Sequence, residues 1–413
     1  MRFMPPDPPC DLDVRPMIDF ASDTFIQNPY PSYQALLEQG GIYEHPDTGF
    51  YYVGRYDLVR ELFKHPTASS DRFSSAYRAL PEPMQQYTRP LFDSISKWIL
   101  FLDPPLHPKV RKVINPAFSA QLIQSILPDI HRMARQLITE CGNRFDVVPA
   151  LAYPLPVMMI SQLLGVPDSD AALVRKWSDA IARFLGEHQT AQQLLDIQNC
   201  IIEASAYFAD LIAEQRQRPT SFLLSQLLAF QKNEPEFSDE HLIANTIALI
   251  FAGHETTTNA ITNGLFNLIN HAERLDHHQP SDLRMDTLVD ECLRIESPVQ
   301  RIARQLKGSV ELPTQTLESG RRVILLLGAA NRDSDQFEQP DIFKPDRANA
   351  GSHLAFGHGP HFCTGSQLAR AEVNAVISEV LTHFRLQDLA LEEYKWRNNI
   401  GLRGFEYLNL RIQ

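Results

Sequence analysis

Phe356-Gly357-His358-Gly359-Pro360-His361-Phe362-Cys363-Thr364-Gly365 is a glycine-punctuated loop that brings one cysteine close to the start of a helix. At this chain's residue frequencies the spacing Phe-x-x-Gly-x-x-x-Cys-x-Gly arises by accident in roughly one chain in two thousand, a weight that a lone cysteine lacks. The residues that follow, from Ser366 to about Val380, are good helix formers with an apolar stripe through Leu368, Ala371 and Ile377. Cys363 is therefore expected near a helix N-terminus, where unsatisfied amides and the positive end of the macrodipole favour a thiolate and its donation to a metal. Gly357, Gly359 and Gly365 remove side chains where the backbone turns tightly or lies flat against a large ligand. Phe356 and Phe362 supply apolar shielding. The loop reads as an iron–thiolate site. Two rival readings are a buried, inert thiol and a zinc cluster of His353, His358, His361 and Cys363, for which no Cys-x-x-Cys or His-x-x-x-His pair completes a usual spacing.

At 413 residues and 44% hydrophobic the chain can bury a large core, and length alone suggests two or three domains. Its five cysteines (Cys10, Cys141, Cys200, Cys292, Cys363) are odd in number and scattered, as expected of reduced thiols in a cytosol. The opening Met1 to Pro9 lacks an apolar stretch, and about eighteen consecutive apolar residues occur nowhere, so neither a signal peptide nor a membrane anchor is expected and a cytoplasmic location is. A net charge of −12 discourages nucleic-acid binding. Lys109, Arg111 and Lys112 form a local basic run, which is either a partner surface or an ordinary solvated helix face.

Residues 1–20 read as a proline-rich arm, followed by a short helix from Tyr30 to Gln39. A hairpin is expected over Gly41 to Val53, where Pro46-Asp47-Thr48-Gly49 separates two aromatic runs. Helical patterns dominate from Pro104 to His271 and from Leu283 to Arg294, with strands at Arg321 to Leu327 and Leu408 to Ile412. The fold class is mainly α with small β-sheets (α+β). The longest helix is expected from Ser238 to about His271, with Ser238 as N-cap and Asp239 and Glu240 in the first turn. Its apolar run stops at Ala252-Gly253-His254-Glu255-Thr256-Thr257-Thr258. Polar groups in a buried helix cost stability, and threonine hydroxyls compete for helical carbonyls and bend the helix, opening a groove for a water or a diatomic ligand.

Together these stretches resemble the cytochrome P450 superfamily, in its soluble bacterial form, from about Asn28-Pro29-Tyr30 to Leu402-Arg403-Gly404. The resemblance implies one catalytic domain over residues 21–413, with heme b, not covalently attached, between the long central helix and the cysteine loop. Cys363 would be the iron ligand. Ala252 and Gly253 would let the helix lie close over the heme, Thr256 would order water near bound oxygen, and Glu255 would be its acid partner in proton delivery. His107 and Arg111, in Asp103-Pro104-Pro105-Leu106-His107-Pro108-Lys109-Val110-Arg111, match propionate positions, as do Arg304 and His361. Phe356, Gly357 and Gly365 would line the cofactor. Glu291-Cys292-Leu293-Arg294 matches the family's Glu-x-x-Arg, with Arg347 completing a structural triad.

The implied activity is a heme-thiolate monooxygenase placing one atom of dioxygen into a small hydrophobic organic substrate, in a setting such as secondary metabolism. Electrons would come from a ferredoxin or flavodoxin with its reductase, and Lys109, Arg111 and Lys112 could attract such an acidic carrier. Peroxide-driven or non-oxygenative chemistry is the alternative, and a non-catalytic heme sensor a further one. The pocket would be lined from Tyr77 to Trp98, Ala180 to His188, Ala248 to Ala252, Val299 to Ile302 and Ile400 to Leu402, where Arg78 or Arg183 either permits a hydrophobic substrate bearing a carboxylate or another acceptor, or simply faces solvent.

Overall fold

The Ser238 side chain accepts from the His241 amide at 3.4 Å, and the helix it caps runs Asp239–Asn270 with Asp239 and Glu240 in its first turn. Its middle is buried from Ala244 to Phe251 and again from Thr257 to Leu265. Helices Pro154–Leu164, Ala191–Gln217, Met285–Ile295 and Ser366–His383 pack around it. Burial on several faces explains why its apolar residues do not keep to one stripe. The computed structural model describes residues 18–20, 22–186, 190–219, 222–275 and 284–413. Most of the expected arm, Cys10 and the stretches 187–189 and 276–283 lie outside the described residues.

The helix is continuous through the polar stretch, in keeping with the expected span from Ser238 to about His271. Thr256 Oγ1 donates to the Ala252 carbonyl at 3.1 Å and Thr257 Oγ1 to the Gly253 carbonyl at 3.2 Å. A carbonyl has two lone pairs, so a hydroxyl can share it with the helical amide.

The expected hairpin forms with Ile42 opposite Val53 and Glu44 opposite Tyr51. It belongs to a five-stranded sheet in the order Ile42–Glu44, Tyr51–Val53, Arg322–Leu326, Arg301–Leu306, Ala68–Ser69. Only the pairing of Tyr51–Val53 with Arg322–Leu326 is parallel. One face packs Leu306, Val323 and Leu325 against Leu58, Leu62 and Phe63, and the other packs Tyr52, Ile324 and Leu326 against Phe20, Tyr33 and Leu36. The strand Arg301–Leu306 carries two arginines and was not anticipated. A second sheet joins Arg144–Asp146, Phe405–Ile412 and Leu389–Trp396. Arg144–Asp146 interrupts the stretch expected to be helical, because its partner lies more than 250 residues downstream at Asn409 to Arg411. The architecture is mainly α with small sheets. Among the described residues no helix is long and apolar enough to cross a membrane.

Candidate functional site

The cysteine loop is held by its own backbone. The Cys363 amide donates to the Phe356 carbonyl at 2.9 Å, the Gly357 amide to Leu354 at 2.8 Å and the Phe362 amide to Gly359 at 3.0 Å. Gly357 and Gly359 adopt φ of +70° and +71°, where a side chain is strained. A Cβ on Gly359 would also stand 3.2 Å from the Phe63 carbonyl oxygen. Gly365 is different: it is the N-cap of Ser366–His383 at φ −83°, and an added Cβ would meet only Phe118 at 3.9 Å. Nothing in the protein itself therefore demands glycine there.

Cys363 is solvent-accessible, yet protein surrounds it at longer range, so burial pushes its thiol up while the Gly365 amide, Arg111 and Arg370 pull it down without prevailing. This corrects the expectation that the helix terminus alone makes the thiol acidic. A bound metal ion supplies the positive charge that deprotonates a coordinating thiol. Phe356 packs edge-on near Phe362, with rings 6.4 Å apart, and Arg370 lies over it at 4.5 Å. Phe362 is exposed. His353 is buried against Asp290 at 3.2 Å while His361 faces the other way, onto His107, so the rival zinc set does not converge.

Four side chains from distant parts of the chain meet near this loop. The His107 and His361 rings stack at 3.8 Å, and His361 Nε2 lies 3.0 Å from the Ser70 hydroxyl. Burial, joined by neighbouring positive groups, pulls His107 down to about 4 and His361 down to about 3. His107 Nε2 is buried with no hydrogen-bond partner. Arg304 is buried over the Phe63 ring at 5.5 Å, donates among the described residues only to the Ala303 carbonyl at 3.1 Å, and is drawn down to about 10 by burial. Arg111 donates to the Phe362 carbonyl, tying its helix Leu106–Ile114 to the cysteine loop. Buried cations without carboxylates beside an orphaned imidazole nitrogen fit a ligand that brings carboxylates of its own. The accessible sulfur and the bare Gly365 fit the flat body and metal of heme.

The basic run does not survive as a unit. Lys109 is ion-paired with Glu234 at 3.1 Å and Glu236 at 3.4 Å, Arg111 is engaged as above, and only Lys112 of the three is exposed.

On the central helix Ala252, Gly253 and Thr256 are partly accessible, whereas His254, Glu255, Thr257 and Thr258 are buried. Adjacent helical residues lie about 100° apart, and Glu255 turns away from the face of Thr256. One of its oxygens accepts from Arg397 and the other stands 3.7 Å from His254 Nε2 without a hydrogen bond. Burial raises the Glu255 carboxyl, with Arg397 opposing, and burial lowers His254 to about 4. Gly253 has a packing reason as well: a Cβ there would stand 2.8 Å from Ile160 Cγ1 of the neighbouring helix.

The segments expected to line a pocket do come together. Phe73 stacks on Phe184 at 5.4 Å, Phe92 meets Tyr77 at 5.0 Å and Phe184 at 6.1 Å, and Trp98 meets Phe251 at 6.4 Å. Val299 bridges to Leu402, and the Gln300 amide donates to the Gly401 carbonyl at 2.9 Å. Both nominated arginines, Arg78 and Arg183, are exposed. Arg72 and Arg397 were missed. Neither carries a local signal, since each acquires its setting from a segment far along the chain. Behind the site, Glu291 accepts from Arg294 at 2.7 and 2.8 Å and from Arg347 at 2.9 and 3.1 Å, all three buried, as expected of the triad.

A family model described as Cytochrome P450 matches residues 187–279 and 284–399. The chain is 31% identical over 400 residues to the biotin biosynthesis cytochrome P450 of Bacillus subtilis (strain 168), covering 95% of this chain and 98% of that one. It is 32% identical to the cytochrome P450 monooxygenase PikC of Streptomyces venezuelae, covering 96% and 94%. The crystal structure of P450BioI, in complex with an acyl carrier protein ligated to hexadec-9Z-enoic acid, superposes with a TM-score of 0.86 at 31% identity over 95% of this chain and 100% of that one. Likeness sustained at this level from end to end, around a cysteine loop and cation set suited to heme, makes this chain a member of the cytochrome P450 family.

Proposed function

We propose that this cytochrome P450 monooxygenase inserts one atom of dioxygen into a small, largely apolar organic substrate, by hydroxylation or epoxidation, with electrons from a separate ferredoxin or flavodoxin and its reductase. The observation that carries this reading is the aromatic wall of Phe73, Phe92, Phe101 and Phe184, together with the accessibility of Ala252 and Thr256 on the central helix. Cys363 would hold the heme iron through its sulfur, and His107, Arg111, Arg304 and His361 would receive the propionates. Heme held there supplies the oxygen-activating chemistry, with the thiolate pushing electron density onto the iron.

The protein's part is to orient and to manage protons. The Thr256 hydroxyl donates its hydrogen bond to the Ala252 carbonyl, which leaves its oxygen lone pairs free to hold a water in the groove. Glu255, held by Arg397, reaches that water by leaving the ion pair or through further waters. Its raised proton affinity suits a donor. Lys112 is the exposed cation of the Leu106–Ile114 helix left to meet an acidic carrier. The fatty acyl ligand of the P450BioI complex is one chemical form an apolar substrate takes, and the Bacillus subtilis relative's part in biotin biosynthesis favours a biosynthetic setting, of which secondary metabolism is one.

The test is turnover of an apolar compound chosen by its spin-state shift, using a surrogate ferredoxin and ferredoxin reductase under isotopically labelled dioxygen. One labelled oxygen in the product is expected. Unlabelled product, or equal turnover with hydrogen peroxide and no reductase, would replace this reading by the peroxide-driven one.

A further inference from the structure

Among the described residues, every arginine that is not exposed has a carboxylate partner except Arg72, Arg111, Arg301, Arg304 and Arg322. The five exceptions are not scattered. Arg301 and Arg304 lie on one strand, Arg322 starts the strand paired with it, and Arg72 follows the Ala68–Ser69 strand on its other side. Arg111 reaches the same region through the cysteine loop. Two heme propionates offset two of these charges, and Arg304 and Arg111 stand with the two stacked histidines. Arg72, Arg301 and Arg322 are left over. Asp103, which acts on Arg304, is already taken by Lys307 at 2.8 Å and by Ser69 and the Ser70 amide, and Asp71 accepts from the Ser74 amide at 3.1 Å.

Arg72 is the member of this group that lies on the aromatic cluster of Phe73, Phe101 and Phe184. Its guanidinium lies 4.8 Å from the Phe101 ring centroid and 5.2 Å from that of Phe73, which stacks in turn on Phe184. The charge is thus laid on the aromatic wall rather than released to solvent. Arg322 donates to the Arg72 carbonyl at 2.9 Å, which fixes the segment, and its own Nε is buried with no acceptor. Burial, with the charges of Arg304, Arg322 and Arg301, draws Arg72 down to about 9. A desolvated group of like charges is costly unless an anion joins it.

We propose that the pocket holds its substrate by a carboxylate placed at Arg72, within the positive field of Arg322 and Arg301, so that the substrate is an apolar molecule with an anionic end. This rests on the monooxygenase reading of the same pocket and narrows it. Anchoring at the aromatic wall leaves the apolar remainder to extend toward Thr256. A guanidinium suits the role because it pairs with a carboxylate in two parallel hydrogen bonds while its face stays on the rings.

The test uses purified, heme-loaded protein with decanoic, dodecanoic and tetradecanoic acids and their methyl esters, followed by Soret spin-state shift and by equilibrium dialysis. Acids should bind more tightly than matched esters by on the order of tenfold or more. Arg72→Gln should abolish that preference through the acids alone, leaving ester affinity within about twofold, while Arg72→Lys should keep part of it. Equal binding of acids and esters by the unmodified protein, or binding of neither, overturns the proposal. So does an Arg72→Gln variant that loses heme yet still prefers acids, since Arg72 then serves a propionate. The reduced carbon monoxide spectrum separates the two readings: a missing thiolate band defeats the monooxygenase reading, whereas a normal band without acid preference defeats only this proposal.

Discussion

Thr256 is bonded within its own helix, so removing its hydroxyl takes away the oxygen proposed to hold a water without leaving a buried donor behind. Thr256→Ala should therefore fold, load heme and bind substrate normally, yet lose several-fold in coupling, with the missing reducing equivalents recovered as hydrogen peroxide. Oxidase stoichiometry measures this directly, and full coupling in the variant would remove Thr256 from proton delivery. Cys363→Ser should abolish the red-shifted reduced carbon monoxide band while leaving the backbone bonds of the loop in place, because those come from amides and not from the sulfur. Residues such as these were legible in the sequence because their neighbours in the chain form the motif. Arg397, which holds Glu255, was not: it sits 142 positions away and meets the acid only once the C-terminal strands close against the helix. Arg403 is similar. It joins Glu296 and the Ile26 and Gln27 carbonyls, at 2.8 and 3.1 Å, under a shared contact with Tyr30 and Trp396.

Elements were readable in proportion to how local their causes are. The central helix was anticipated nearly to the residue because its cap and first-turn acids lie in sequence, and the hairpin because its turn residues do. Strands Arg301–Leu306 and Arg144–Asp146 were missed because pairing, not pattern, makes them strands. The central helix also shows how one glycine can have two explanations. Gly253 reads as room for a cofactor, but the structure puts Ile160 Cγ1, Cδ1 and Cβ within 2.8 to 3.2 Å of where its Cβ would be. Gly253→Ala gains about 1 kcal/mol in helix propensity, against an overpacking cost of about 1–3 kcal/mol. Net destabilisation is expected, and combining Gly253→Ala with Ile160→Ala, itself costly at a buried position, should destabilise by less than the sum of the two single changes. Denaturation of the two single variants and the double variant measures the coupling. Simple additivity would show that the two helices do not constrain each other there.

The whole molecule buries an acid that none of its expected chemistry uses. Glu372, on the Ser366–His383 helix, is 1% exposed; both carboxylate oxygens are buried without a hydrogen-bond partner, and burial alone pushes its proton affinity well above the ordinary range. The folded protein therefore keeps this proton over a pH range in which the unfolded chain has released it. Stability must then fall as pH rises above the ordinary carboxyl value, by up to about 1.4 kcal/mol per pH unit, until the folded-state value is passed. Glu372→Gln is neutral at every pH and escapes this slope. Near pH 5, where unfolded carboxyls begin to retain protons, variant and parent should have similar stability. Toward pH 8 the variant should become progressively the more stable, read as a rising difference in denaturant midpoint at fixed heme loading. A constant offset between the two curves would mean that Glu372 is ionised in the folded protein and is balanced by a charge from beyond its immediate packing. A widening gap would identify one protonated carboxyl as a source of base sensitivity that the chain's overall negative charge alone would not single out.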